Sequence, residues 1–60
     1  MTDFEKMVTK LRESSYAEGR HFEVYEYKSG VKEIGFRPST LCEDWTYFEY
    51  DNNGNLIRIF

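Results

Sequence analysis

The spacing of apolar residues changes once along this chain, at Gly19, and that change fixes the kinds of element it can build. Ahead of it, Phe4, Met7, Val8 and Leu11 follow the i, i+3, i+4, i+7 spacing that lines one face of a helix. Thr2 and Glu5 form a capping-box pair, each able to satisfy an orphan amide of the first turn. Asp3 and Glu5 also suit the positive end of the helix dipole, while Lys6, Lys10, Arg12 and Glu13 fall mostly on the opposite side. Ser14 and Ser15 weaken the pattern and Gly19 is a natural stop, so a helix is predicted over residues 2–17.

After Gly19 the pattern is strand and turn. Residues 21–27 and 31–36 are rich in β-formers and are separated by Lys28-Ser29-Gly30, a three-residue hairpin loop with glycine in the left-handed position. Pairing Tyr27 with Val31 sets Glu26 opposite Lys32, Val24 opposite Ile34 and Phe22 opposite Phe36. Acid then meets base and apolar meets apolar. A two-residue turn would put Glu23 opposite Phe36 and is rejected on that ground.

The last hairpin surrounds Asn53-Gly54, the strongest short hairpin signal in the chain. A turn centred there predicts Phe48 opposite Ile59, Tyr50 opposite Ile57, Glu49 opposite Arg58 and Tyr47 opposite Phe60. The run Tyr50-Asp51-x-x-Gly54-Asn55-Leu56 resembles one unit of the tyrosine-aspartate repeats in large secreted shell-forming toxin proteins. It occurs once here, turn chemistry accounts for it, and no function is carried over from it. Between the hairpins, Pro38 ends the second strand, and the segment up to Asp44 is too long for a tight turn. Strand three can therefore follow strand two in a meander or lie beside strand one, with Leu41 a candidate to tuck under the sheet edge. The expected fold is a single α+β domain over residues 1–60, α-β-β-β-β, an N-terminal helix packed on a four-stranded antiparallel sheet in two layers.

The helix stripe is expected to cover Phe22, Val24, Ile34, Phe36, Phe48, Tyr50, Ile57 and Ile59. Tyr25, Tyr27, Val31, Trp45, Tyr47 and Phe60 are left on the other face, with Glu23, Glu33, Glu49 and Arg58 among them. Aromatic residues make up 18% of the chain, enough that they must shape any interface as well as the core. A solvated sheet face is normally polar. Five rings on this one mark it as a protein contact surface, rich in the Tyr and Trp that carry binding energy. The plainer alternative is that tyrosine is a good β-former and the rings cover one another.

Size points the same way. Sixty residues lies near the lower limit at which one core holds a fold without a staple. Cys42 is alone, so no internal disulfide forms, and His21 with Cys42 falls short of a four-ligand zinc site. Self-association remains, and a homodimer through the aromatic face is the leading expectation, with another protein as the other partner considered.

Catalysis has little support. Glu43 and Asp44 beside Cys42 raise a thiol pKa instead of activating it, His21 has no fixed relation to Cys42, and the four glycines are scattered singly, with no phosphate loop. Neither an enzyme, nor a cofactor, nor a small-molecule substrate is expected. Nucleic-acid binding by the aromatic sheet is the alternative from another class, but a net charge of -3 and three glutamates on that face argue against it. No stretch is apolar enough to span a membrane, and no signal-peptide pattern opens the chain, so a cytoplasmic protein is expected. The functional expectation is a small protein-binding module that occupies or blocks a partner, the style of phage and mobile-element inhibitors of host systems.

Overall fold

The computed structural model describes residues 1–41 and 44–60; the expectation of an unactivated Cys42 thiol beside Glu43 lies outside them. The elements are α1 (Asp3–Glu13), β1 (Phe22–Glu26), β2 (Lys32–Phe36), β3 (Thr46–Tyr50) and β4 (Leu56–Ile59). The four strands form one antiparallel sheet in the order β1-β2-β3-β4, a plain meander. Among the described residues no helix is long and apolar enough to cross a membrane.

The helix begins where its cap dictates. The Thr2 hydroxyl accepts the Glu5 N–H at 3.1 Å, and the Glu5 carboxylate accepts the Thr2 N–H at 2.9 Å. Those bonds to Thr2 hold the Glu5 carboxyl below the ordinary carboxylate range. The helix ends at Glu13 and not at residue 17 as the spacing suggested. Ser14 is the reason: its hydroxyl donates to the Leu11 carbonyl and accepts the Tyr16 N–H at 3.1 Å, offering the backbone a local alternative to another turn. Gly19, at φ 91°, shapes a separate turn, with its N–H on the Phe22 carbonyl at 2.7 Å.

Phe4, Val8 and Leu11 of α1 bury against Phe22, Ile34 and Tyr50, with Met7, Tyr16, Val24, Phe36 and Phe48 packed around them. The Phe4 ring meets Tyr50 edge-on at 5.4 Å. Burial, followed by the charge of Asp3, raises the Tyr50 hydroxyl pKa. Leu41, placed by the sequence under the sheet edge, is instead 94% exposed.

The first hairpin has the expected register throughout, from Phe22 opposite Phe36 to Glu26 opposite Lys32, closed by the Tyr27 N–H on the Val31 carbonyl at 2.9 Å. The second departs from expectation at one pair. Phe48 opposes Ile59 and Glu49 opposes Arg58, but Tyr50 faces Leu56 and not Ile57, with a bulge between Glu49 and Tyr50. The cause is Asp51. Its carboxylate accepts the N–H groups of Asn53 and Asn55, both at 2.9 Å, drawing the chain into a three-residue loop closed by the Asp51 N–H on the Asn55 carbonyl. A three-residue loop shifts the register by one, and the bulge restores it at Glu49 by leaving Ile57 surplus.

The turn of this hairpin also anchors the helix. The Phe4 N–H donates to the Gly54 carbonyl at 3.0 Å, and Asp3 accepts the Leu56 N–H at 3.2 Å. Gly54 is buried at φ 84°, and a Cβ there would stand 2.6 Å from the Thr2 side chain. Only a glycine lets the cap approach so closely.

Candidate functional site

The outer face of the sheet, opposite α1, is built in rows by the strand register. One row runs Glu23, Gly35, Tyr47, and Tyr47 exchanges both backbone hydrogen bonds with Phe60. The next row runs Tyr25, Glu33, Glu49, Arg58. Tyr27 and Val31 close the first hairpin beyond it, and Trp45 precedes β3 at the other end. All six residues singled out in the sequence are placed here, but they divide into two groups of different character.

At the Trp45 end the rings lie on one another and on the backbone. A Cβ on Gly35 would be 3.0 Å from the Tyr47 ring and 3.4 Å from Trp45, so both rings rest on the glycine. Tyr47 stacks on Phe60 with centroids 5.6 Å apart. Two guanidiniums complete the chain, Arg37 at 4.7 Å from the Trp45 ring and Arg58 at 4.3 Å from Phe60. Trp45 and Tyr47 are thereby partly covered, while Phe60 stays half exposed. A glycine inside a strand is a recognised mark of close approach, and Gly35 carried that signal in the sequence.

At the Tyr27 end the surface is tyrosine and carboxylate. The Tyr25 hydroxyl donates to Glu23, and this bond, with burial and the Glu23 charge behind it, pushes its pKa up to about 12. Tyr27 is half exposed, and its pKa is raised by partial desolvation and then by Glu33 and Glu49. Glu33 sits directly across from Glu49. Arg58 pairs with Glu49 at 3.1 Å. Like charges in directly opposed positions destabilise a sheet. This opposition could not be read from the sequence, because it depends on β2 pairing with β3, which the intervening segment left open.

A second exposed surface was missed by the sequence reading. Ile57 and Ile59, expected under the helix, are 56% and 57% exposed, and Phe60 is 53% exposed. No β4 residue enters the core cluster. The helix lies over β1 to β3 and leaves a groove beside β4 lined by Asp3, Lys6, Met7, Lys10, Tyr50 and Leu56.

His21 is engaged locally, its Nδ1 accepting the Ala17 N–H at 3.1 Å and its ring lying 5.3 Å from Tyr16. Among the described residues no three His, Cys, Asp or Glu side chains converge as metal ligands. Comparison with protein-family models, with curated proteins and with solved structures found no match.

Proposed function

We propose that this chain is a non-enzymatic protein-binding module, working as a homodimer in the cytoplasm, that occupies or blocks a partner through the outer face of its sheet. The observation that carries the reading is the opposition of Glu33 and Glu49 beside the exposed rings of Tyr25 and Tyr27. Arg58 offsets the charge of Glu49 alone, so the opposition still costs the sheet more than a neutral pair would, and features that cost stability concentrate at functional sites. A lysine or arginine from a partner, set between the two carboxylates and against the tyrosine rings, would relieve the repulsion and add cation–π contact. The partner surface is therefore basic, and charge complementarity gives it speed of encounter as well as specificity.

The outer face suits nucleic acid less well. Its two arginines each stack on a ring of the chain itself, while Glu23, Glu33 and Glu49 oppose a phosphate backbone.

A peptide-display selection tests the contact face, run in parallel on the natural chain and on Glu33→Lys. Lysine- and arginine-rich sequences should be enriched on the natural chain and lost on the variant. Enrichment of neutral or acidic sequences, or of the same sequences on both proteins, would remove the outer face from the interface. Light scattering over a concentration series tests the dimer: a plateau near twice 7.2 kDa supports it, and 7.2 kDa throughout refutes it.

A further inference from the structure

We infer that two copies of this chain join β4 to β4, antiparallel about a two-fold axis at Ile59, so that their sheets run on as one. The inference rests on the homodimer reading above and names its seam as the sheet edge instead of the outer face.

The backbone points to Ile59. Tyr47 and Phe60 exchange both of their hydrogen bonds, at 2.7 and 2.8 Å, so Phe60 turns its polar groups toward β3. Alternation along an antiparallel ladder then turns the N–H and C=O of the neighbouring Ile59 away from β3, toward the open edge. At the other end of β4 the outward Leu56 N–H is already held by Asp3 at 3.2 Å. The edge is thus guarded at Leu56 and open at Ile59.

Natural edge strands are kept apart by charges, proline, bulges or a covering element. Here the bulge and the Asp3 guard lie at the Leu56 end, and Arg58 is drawn onto Glu49 and Phe60. Among the described residues the Ile59 end carries none of these devices. Its side chains are Ile59 and Phe60, each more than half exposed.

Side-chain chemistry selects a second copy and one register. With the axis at Ile59, each Ile59 exchanges backbone bonds with its counterpart, and the two isoleucines meet on the helix side of the sheet. Arg58 then falls opposite Phe60 of the second copy, repeating the guanidinium–ring contact made within the chain at 4.3 Å. An axis at Arg58 would instead set two guanidiniums face to face, which a sheet disfavours. The apolar side chains that this register brings together, Ile59 and Phe60, are 57% and 53% exposed, so the seam is small and rests on backbone hydrogen bonds as much as on apolar contact.

The other edge explains why assembly would stop at two. At β1 the Phe22 carbonyl is taken by the Gly19 N–H, Glu18 bridges to Phe22, and Glu23 and Glu26 flank Val24. A closed two-fold contact with a blunted far edge makes a dimer, not a filament.

Sedimentation velocity across a concentration series tests this on the natural chain, Ile59→Pro, Ile59→Lys and Tyr27→Ser. Proline at residue 59 removes an outward N–H that β3 does not use, so β4 can remain in place. A dimer in the natural chain and in Tyr27→Ser, weakened tenfold or more in both Ile59 variants, is the expected result. Should the Ile59 variants fail to fold, hydrogen exchange on the natural chain decides: the Ile59 amide should become protected as concentration rises. A dimer untouched by either Ile59 variant but lost in Tyr27→Ser would overturn the edge seam while keeping the homodimer. Constant exchange at Ile59 through dimerisation would overturn the seam equally. A monomer at every concentration would end both readings, and a mass that keeps growing would overturn the two-fold closure.

Discussion

The two hairpins close with the same loop, yet they end as different objects. In each, three residues carry the chain around, and the glycine at the third position, Gly30 or Gly54, has positive φ and donates to the residue before the loop at 2.9 Å. The first hairpin then runs in perfect register and buries Phe22 and Ile34 completely. The second slips by one at its turn, recovers through a bulge, and leaves every residue of β4 exposed. The difference teaches that a turn sets register only locally. Asp51 imposes a longer loop than Asn53-Gly54 alone would choose, and the sheet absorbs the mismatch at Ile57 because the apolar and ionic pairs further along still favour their places.

The sharpest break between the hairpins should appear on truncating one apolar residue in each. Phe22→Ala is expected to cost about 3–5 kcal/mol and Ile59→Ala less than about 1 kcal/mol, by denaturant unfolding at a dilution where the chain is monomeric. Comparable losses would mean that β4 shares the core after all. Next come the two loop glycines. Gly54→Ala should destabilise by about 2–4 kcal/mol, since it strains a positive φ and drives a methyl into Thr2 at the helix cap. Gly30→Ala should cost less, about 1–3 kcal/mol: it also strains a positive φ and sets a methyl 2.8 Å from the Asn52 Cβ, but it leaves the helix cap untouched. Equal thermal shifts would show that the helix start does not depend on the second turn.

Acid should separate the hairpins more gently. Bonds from Asn55 first, then Asn53, hold the Asp51 carboxyl below the ordinary range; the corresponding residue of the first hairpin is Tyr27, which has no such group. Because the folded-state pKa is the lower one, this contribution is complete above the unfolded carboxyl's range and is lost as pH falls through the folded value. The Asn55 amide signal should therefore titrate at unusually low pH, and Asp51→Ser should flatten the acid limb of the melting curve. The smallest effect lies at the other extreme. Tyr25, raised to about 12, should be the last of the exposed tyrosines to ionise by ultraviolet titration, and Glu23→Gln should bring it down. Its folded pKa is the higher one, so that contribution is present below the unfolded tyrosine's range and lost as pH rises through about 12.

The helix face and both hairpins were legible because each rests on contacts close in sequence: a capping box, a 3.6-residue stripe, and two turns with complementary strands. Helix length was overstated because Ser14 competes for the Leu11 carbonyl, a choice between two hydrogen bonds that periodicity does not register. The bulge was missed for the same kind of reason, since Asp51 acts through amides two and four residues on. What joined the hairpins was out of reach. The opposition of Glu33 and Glu49 depends on which strand lies beside which. The exposure of Ile57 and Ile59 depends on how far across the sheet a helix of this width extends. The partial covering of Trp45 and Tyr47 follows from Gly35, whose missing side chain becomes meaningful only once Tyr47 is known to lie beside it.

The contact between the helix start and the second turn governs when the domain can become stable. A helix of 11 residues does not persist by itself in water. Its cap waits for Gly54 and Leu56, and the Asp3 bond to Leu56 spans 53 positions. The first hairpin can form early from local contacts and offers the helix Phe22 and Ile34, but Tyr50, Gly54 and Leu56 complete its seat only when the second has closed. Much of the loop-closure entropy is therefore spent in one late step, which makes folding slower than so small a chain would otherwise allow and all-or-none in character.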